Sequence, residues 1–193
     1  MASSETDYRT MSLHEWHLVG PDGLPALHRT VHVLRAMRAG LDCYAYRFDT
    51  SEAEAQVRAI RGVRAGAPRV DEEGLTVVDL EFVHPLEFGE TASLEYETAF
   101  TWKTVPPPQV RRATRKRLER LDMRVQFSPE RRPAELQWAV WDGYGPAARL
   151  RGAEVVELDH ECAAHRFVDE IAQGTVGFTW RWAPGDQPTA RVG

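Results

Sequence analysis

Three groups of histidines and one run of arginines are the residues of this chain whose types and spacing bear on chemistry. His160-Glu161-Cys162-Ala163-Ala164-His165 nearly spells the helical zinc motif, in which two histidines four apart share a face with a glutamate base between them. Here the spacing is five. Five residues turn a helix by about 500°, and an odd spacing on a strand sends the rings to opposite faces, so the motif fails in either conformation. A looser site joining His160 or His165 to Cys162 or Asp159 is one reading, and a structural or exposed histidine is the plainer one. His14 and His17 enclose Glu15 and Trp16, while His28 and His32 are four apart. The latter spacing suits one face of a helix or of a strand, where the rings would bind a divalent ion or line a pocket. Neither pair brings a third ligand with it, so the sequence predicts no metal site and no cofactor.

Arg111, Arg112, Arg115, Lys116, Arg117, Arg120 and Arg124 place seven cations within fourteen residues, diluted by Glu119 and Asp122. Such a run can grip phosphate or another acidic surface. The plainer reading is the outer face of a strand and its lead-in, paired across the sheet with Glu95 and Glu97. A net charge of −5, and a run with no interleaved aromatics for base stacking, argue against nucleic acid. Arg111, Arg112, Arg115, Lys116 and Arg117 are kept as a patch for an acidic partner. Of the tryptophans, Trp102, Trp180 and Trp182 follow the buried face of their strands. Trp138 and Trp141 are three apart and so lie on opposite faces unless the strand is bulged. With Tyr144 they mark a loop for ligand binding. The expected ligand-binding residues are therefore His28, His32, Trp138, Trp141, Tyr144, His160 and His165. No GxSxG, glycine-rich phosphate loop or CxxC pair occurs, and no catalytic residue is assigned.

The elements that must position these groups are strands. Leu94-Glu95-Tyr96-Glu97-Thr98-Ala99-Phe100-Thr101-Trp102 alternates with a period of two, as do Leu121 to Phe127 and Val176 to Trp182. Further strands are read at Leu13 to Val19, Thr30 to Met37, Tyr44 to Phe48, Gln56 to Val63, Leu75 to Phe82 and Leu136 to Trp141. Leu75 to Phe82 and the strand from Leu94 read as antiparallel neighbours joined by the Leu86-Glu90 turn. A chain of 193 residues with 42% hydrophobic residues is one domain's worth of core. The prediction is an all-β antiparallel sandwich of two sheets over residues 11–183, with Tyr96, Phe100, Phe127, Trp180 and Trp182 in the core. Residues 1–10 are expected to be disordered and 184–193 a flexible tail. Pro106-Pro107-Pro108 marks a crossing or seam at 104–110. Cys43 and Cys162 fit reduced core thiols, and nothing resembles a signal peptide or membrane span, so the expected compartment is the cytoplasm.

Several stretches resemble the C-terminal β-rich regions of actinobacterial Xre-type helix-turn-helix regulators. They are Leu94 to Thr98 with Trp102, the triple proline followed by Arg111-Arg112, Val125 to Ala134, Trp138 to Asp142, and Gly174 to Trp180. Leu24-Pro25 and His28-Arg29-Thr30 fit the same kind of region. The residues ahead of the first strand fall short of the about 50 that DNA-reading helices need. The resemblance thus implies a regulatory module without its DNA-binding domain. It implies a non-catalytic ligand-sensing or protein-interaction function, with a small molecule, a protein or a second copy in a homodimer as partner and no membrane. The alternative is a cofactor-independent enzyme of cyclase, isomerase or hydrolase type. It would act on a natural-product-like molecule of secondary metabolism in an aromatic cavity.

Overall fold

Alternation of side chains decides the architecture. Along Leu121–Phe127 the residues Leu121, Met123, Val125 and Phe127 are buried, while Asp122, Arg124 and Gln126 face outward and are partly exposed. A computed structural model describes residues 7–114, 117–143, 148–171 and 174–188. Among these it contains fourteen strands and no helix. The chain is all-β as expected, but it has three sheets rather than two.

The large sheet is built from β1 (Tyr8–Val19), β2 (Pro25–Ala36), β4 (Ala53–Arg61), β8 (Thr91–Trp102), β10 (Leu121–Phe127) and β13 (Ala163–Val168), in the order β13-β10-β1-β2-β8-β4. The second sheet contains β9 (Gln109–Thr114), β11 (Glu135–Asp142), β12 (Arg149–Val155) and β14 (Gly174–Arg181), in the order β12-β11-β14-β9. The third contains β3 (Leu41–Phe48), β5 (Val63–Ala65), β6 (Arg69–Val70) and β7 (Thr76–Leu86), with β7 between β3 and β5 and β6 also on β7. Pairing is antiparallel except between β1 and β10, which run parallel with Glu15 opposite Met123 and His17 opposite Val125.

The inner face of the large sheet carries two cores. One joins β10 and Leu13 and Val19 of β1 to Trp138, Phe178, Trp180 and Trp182. The other joins Leu34, Leu94 and Tyr96 to Tyr44, Tyr46, Val78, Leu80 and Phe82 of the third sheet. The expected core residues thus divide: Tyr96 lies in one cluster, Phe127, Trp180 and Trp182 in the other, and Phe100 is only half-buried. The triple proline leads from β8 of the large sheet to β9 of the second sheet, which makes it a crossing between layers. Pro108 is held there as its carbonyl accepts from the Trp180 amide at 2.9 Å.

Two further expectations are corrected. β7 and β8 are not neighbours: β7 pairs with β3, β5 and β6, and β8 with β2 and β4. The turn between them carries the chain across the sandwich and is pinned to β2, where the Gly89 amide donates to the Ala36 carbonyl at 2.8 Å. At the start of the chain, Tyr8–Thr10 belongs to β1 rather than to a disordered tail.

Gly177 of β14 admits no side chain, because a Cβ there would stand 2.0 Å from the Val110 carbonyl oxygen and 2.9 Å from the Arg111 Cα. Gly177→Ala must push β9 away. The expected outcome is a loss of about 2–4 kcal/mol, read by calorimetry as a fall in Tm of about 5–15 °C for a chain of this size. A change under about 2 °C would mean that β9 yields without strain.

Candidate functional site

β1 and β2 pair so that Glu15 lies beside Thr30, His17 beside His28, and Leu13 beside His32. β8 continues these rows with Tyr96, Thr98 and Leu94. All face inward by alternation, so a polar strip runs down the middle of the inner face, with apolar β10 on one side. The strip lies where the two covering sheets end. Arg112 reaches Glu15 from β9, the edge of the second sheet, while Tyr44 and Tyr46 come from β3, the edge of the third. Glu15 and His32 are each 1% exposed, and His17 and His28 8%.

At the centre the Arg112 guanidinium pairs with Glu15 Oε1. His28 Nε2 stands 3.4 Å from the same oxygen and His17 Nε2 3.7 Å from Oε2. The two rings stack at 4.2 Å between centroids, 15° from parallel. His28 Nε2 also pairs with Thr30 Oγ1 at 3.0 Å, and His32 Nε2 with Thr10 Oγ1 at 3.0 Å. The Tyr44 ring meets His32 edge-on at 4.7 Å, and Thr98 Oγ1 donates to the Tyr46 hydroxyl at 3.3 Å. Five buried atoms in the strip have no hydrogen-bond partner: Glu15 Oε2, His17 Nε2, His32 Nδ1, the Tyr96 hydroxyl and Arg112 Nε.

Burial pushes the Glu15 carboxyl up, but the Arg112 charge and the neighbouring His17 and His28 imidazoles outweigh it and hold the group well below the usual carboxylate range. Burial acts against the Arg112 charge too, and Glu15 more than restores it. Burial lowers His17 to about 4, and the His28 charge adds to the effect. His32 falls to about 3, again chiefly through burial and then through Arg112. Burial raises Tyr46 to about 12 and Tyr96 well above its ordinary value. The strip at neutral pH therefore holds one ion pair, with neutral imidazoles at His17 and His32 and uncharged phenols at Tyr46 and Tyr96. It is rich in lone pairs, and Glu15, His17 and His28 bring together one ligand atom each in a cluster that could hold a metal ion and that sequence spacing did not disclose. His28 and His32 share a strand face as their even spacing requires. Glu15 and His17 were missed because only the pairing of β1 with β2 brings them to His28.

The other sequence-predicted residues disperse. Trp138 packs in one core. Trp141 is also buried, with the Arg111 guanidinium 5.2 Å from its ring, beside a bulge at Val140/Trp141 in the pairing with β12. His160 sits on an exposed turn, and His165 pairs with Asp122, which also takes His14 at 3.3 Å. Tyr144, Arg115 and Lys116 lie outside the described residues. The basic run does not act as one face paired with Glu95 and Glu97. Arg112 turns inward to Glu15, Arg117 pairs with Glu170 at 2.7 Å, and Arg124 with Glu161 at 2.6 Å. Glu95 is held by Arg29 and Arg61, and Glu97 by Arg58, because β4 and β2 rather than β10 flank β8.

The outer face of the same strands forms an open groove of about 410 Å³ lined by Trp16, His17, Leu18, Leu27, Arg29, Glu97, Arg124 and Gln126. One cross-strand row reads Arg124, Trp16, Arg29, Glu97 and the next Gln126, Leu18, Leu27. Trp16 and Leu18 are 40% and 41% exposed, and the Arg29 guanidinium lies 6.0 Å from the Trp16 ring.

No family model matches the chain, and no curated protein matches it. Among solved structures, it is similar to the crystal structure of a proposed protease from Parabacteroides distasonis ATCC 8503, with a TM-score of 0.56 and 10% identity. The match covers 91% of this chain and 41% of that one, so the chain spans well under half of the neighbour's length and the likeness is one of fold.

Glu15→Gln leaves the Arg112 charge buried without its partner and is expected to lose about 3–5 kcal/mol in urea unfolding. Replacing both, Glu15→Leu with Arg112→Met, should recover most of that loss; a double variant as weak as the single would show that the pair does not act as a unit. His32 supplies a pH test. Its folded value of about 3 lies below the ordinary 6.5, so unfolding takes up a proton between those values. Its contribution is complete above about pH 6.5 and is lost as the pH falls toward 3, at about 1.4 kcal/mol per pH unit. His32→Phe should remove about one proton from the slope of unfolding free energy between pH 6 and pH 4.5; an unchanged slope would contradict the assignment.

Proposed function

We propose that this chain is a non-catalytic ligand-sensing module whose ligand lies in the outer groove and is registered through the ion pair behind it. The observation that carries this reading is the exposure of Trp16 and Leu18, at 40% and 41%, in the middle of the large sheet over a cavity of about 410 Å³. That volume falls among ordinary small-molecule sites, at roughly 300–1,000 Å³. An indole platform with Leu18 and Leu27 beside it favours a flat apolar body, and Arg29 and Arg124 favour an anionic or polar end. Trp16 stands between Glu15 and His17, and Arg29 between His28 and Thr30. A ligand that shifts β1 against β2 therefore changes the spacing of the buried groups.

The resemblance to Xre-type regulator regions supports a regulatory role in an actinobacterial cytoplasm, with a partner protein or a second copy receiving the signal. Among the described residues, no helix is long and apolar enough to cross a membrane. A second reading, a cofactor-independent enzyme, is favoured by Glu15 beside two histidines, but Glu15 is only 1% exposed and substrate would need the covering sheets to part.

The test is a titration of the chain with aromatic carboxylates and flat heteroaromatic acids, followed by amide and indole NMR shifts. Binding should shift the Trp16 indole signal, and Trp16→Ala and Arg29→Ala should each weaken it by about tenfold or more without product formation. Retained affinity in both variants would remove the groove as the site, and turnover of a bound compound would favour the enzyme reading.

A further inference from the structure

We infer that Glu15, His17 and His28 form a binding site for a divalent transition-metal ion of the zinc class, on the inner face of the sheet behind the groove. One ligand atom from each residue lies within 4.8 Å of the others. Glu15 Oε1 stands 3.4 Å from His28 Nε2, and Oε2 stands 3.7 Å from His17 Nε2. In a tetrahedral site with bonds of about 2.0–2.1 Å, neighbouring ligand atoms are about 3.3–3.4 Å apart, so the three ligand atoms must draw together from separations of up to 4.8 Å to complete the set. Two imidazoles and one carboxylate make a recurrent donor set for zinc and for ferrous iron.

A second observation points to a ligand there. Glu15 Oε2 and His17 Nε2 face each other across 3.7 Å, and neither has a hydrogen-bond partner. Their side chains are only 1% and 9% exposed. A buried acceptor and a buried ring nitrogen left in this way are stabilised by something placed between them.

Arg112 defines the terms of binding. It occupies Oε1 and leaves Oε2 to the ion, as an outer-shell partner that orients the carboxylate. Its positive charge also opposes a cation and so weakens binding. The two rings lie in separate, nearly parallel planes, 15° apart and 4.2 Å between centroids; an imidazole binds an ion in its own ring plane, so one ring must turn about its Cβ–Cγ bond and the stack opens on binding.

The experiment titrates Co²⁺ and Zn²⁺ into the full chain freed of metal by chelator and desalting. Calorimetry, the visible Co²⁺ spectrum and histidine ring NMR are the readouts. One equivalent should bind, with the strong visible bands of tetrahedral Co²⁺, and the ring signals of His17 and His28 should move. His17→Phe, which retains the stack on His28, should weaken binding by at least about 100-fold. Arg112→Met should tighten it by about tenfold as the competing charge is removed. If a variant fails to fold, the ring signals of the wild type decide by themselves. No binding at millimolar metal would overturn the inference. So would shifts confined to His14 and His165, which would place the ion at the Asp122 cluster on the outer face.

Discussion

The Glu15–Arg112 ion pair is the constraint on which the rest of the arrangement depends. A lone carboxylate on the middle strand of a buried sheet face would be driven to protonate, and a lone guanidinium at the edge of the second sheet would turn out to solvent. Paired, each charge keeps the other ionised, although Glu15 is almost wholly buried and Arg112 largely so. The pair links β1 of the large sheet to β9 of the second, and β9 can approach because Gly177 leaves room for the Val110 carbonyl on the neighbouring strand. A backbone clearance on one strand thus sets where a charge on the next can reach. Such a pair adds little net stability over an apolar equivalent, whereas removing one partner alone is costly.

The polar strip occupies a position that neither core serves. Each covering sheet buries its own cluster against one half of the large sheet, and the boundary between the clusters falls on β1 and β2. Apolar side chains at that boundary would merge the two cores into one. Glu15, Thr30, His17, His28 and His32 instead keep them distinct, with tyrosines from β3 closing one side and Arg112 the other. Imidazole suits such a boundary because it stays neutral when buried and still offers a lone pair.

Much of the local structure was legible in the sequence. Leu121 to Phe127 and Leu94 to Trp102 declare strands by period alone, and the even spacing of His28 and His32 placed both rings on one face. The segment Gln56 to Val63, read as a strand, lies in β4 and β5. Pairing was not legible, since alternation says which side of a strand is buried and nothing of its neighbour. Hence the parallel contact of β1 with β10 went unread, and the expected hairpin of β7 and β8 crosses between sheets. The site shared this limit. His17 belongs with His28 only through the β1–β2 register, and Arg112 belongs with Glu15 only because a triple proline sends β9 to another layer.

The tetrapeptide His14-Glu15-Trp16-His17 compresses the consequence. On a strand its members alternate, so His14 and Trp16 look outward to Asp122 and the groove, while Glu15 and His17 look inward to Arg112 and His28. A backbone displacement that moves one pair must move the other, because strand side chains stand on a common pleat with no independent hinge between neighbours. The inner pair is confined by close-packed cores on both sides, and interiors of that density yield by discrete rearrangement rather than by gradual give. The stacked imidazoles are the element best placed to rearrange, because turning one ring trades its stack for a contact with Glu15 Oε2 without moving any backbone atom. Communication between the faces then requires only that the outer ligand and the inner ring orientation prefer the same spacing of β1 and β2. Under the proposed function such a shared preference would couple the two faces through one pair of strands, reciprocally by thermodynamic necessity.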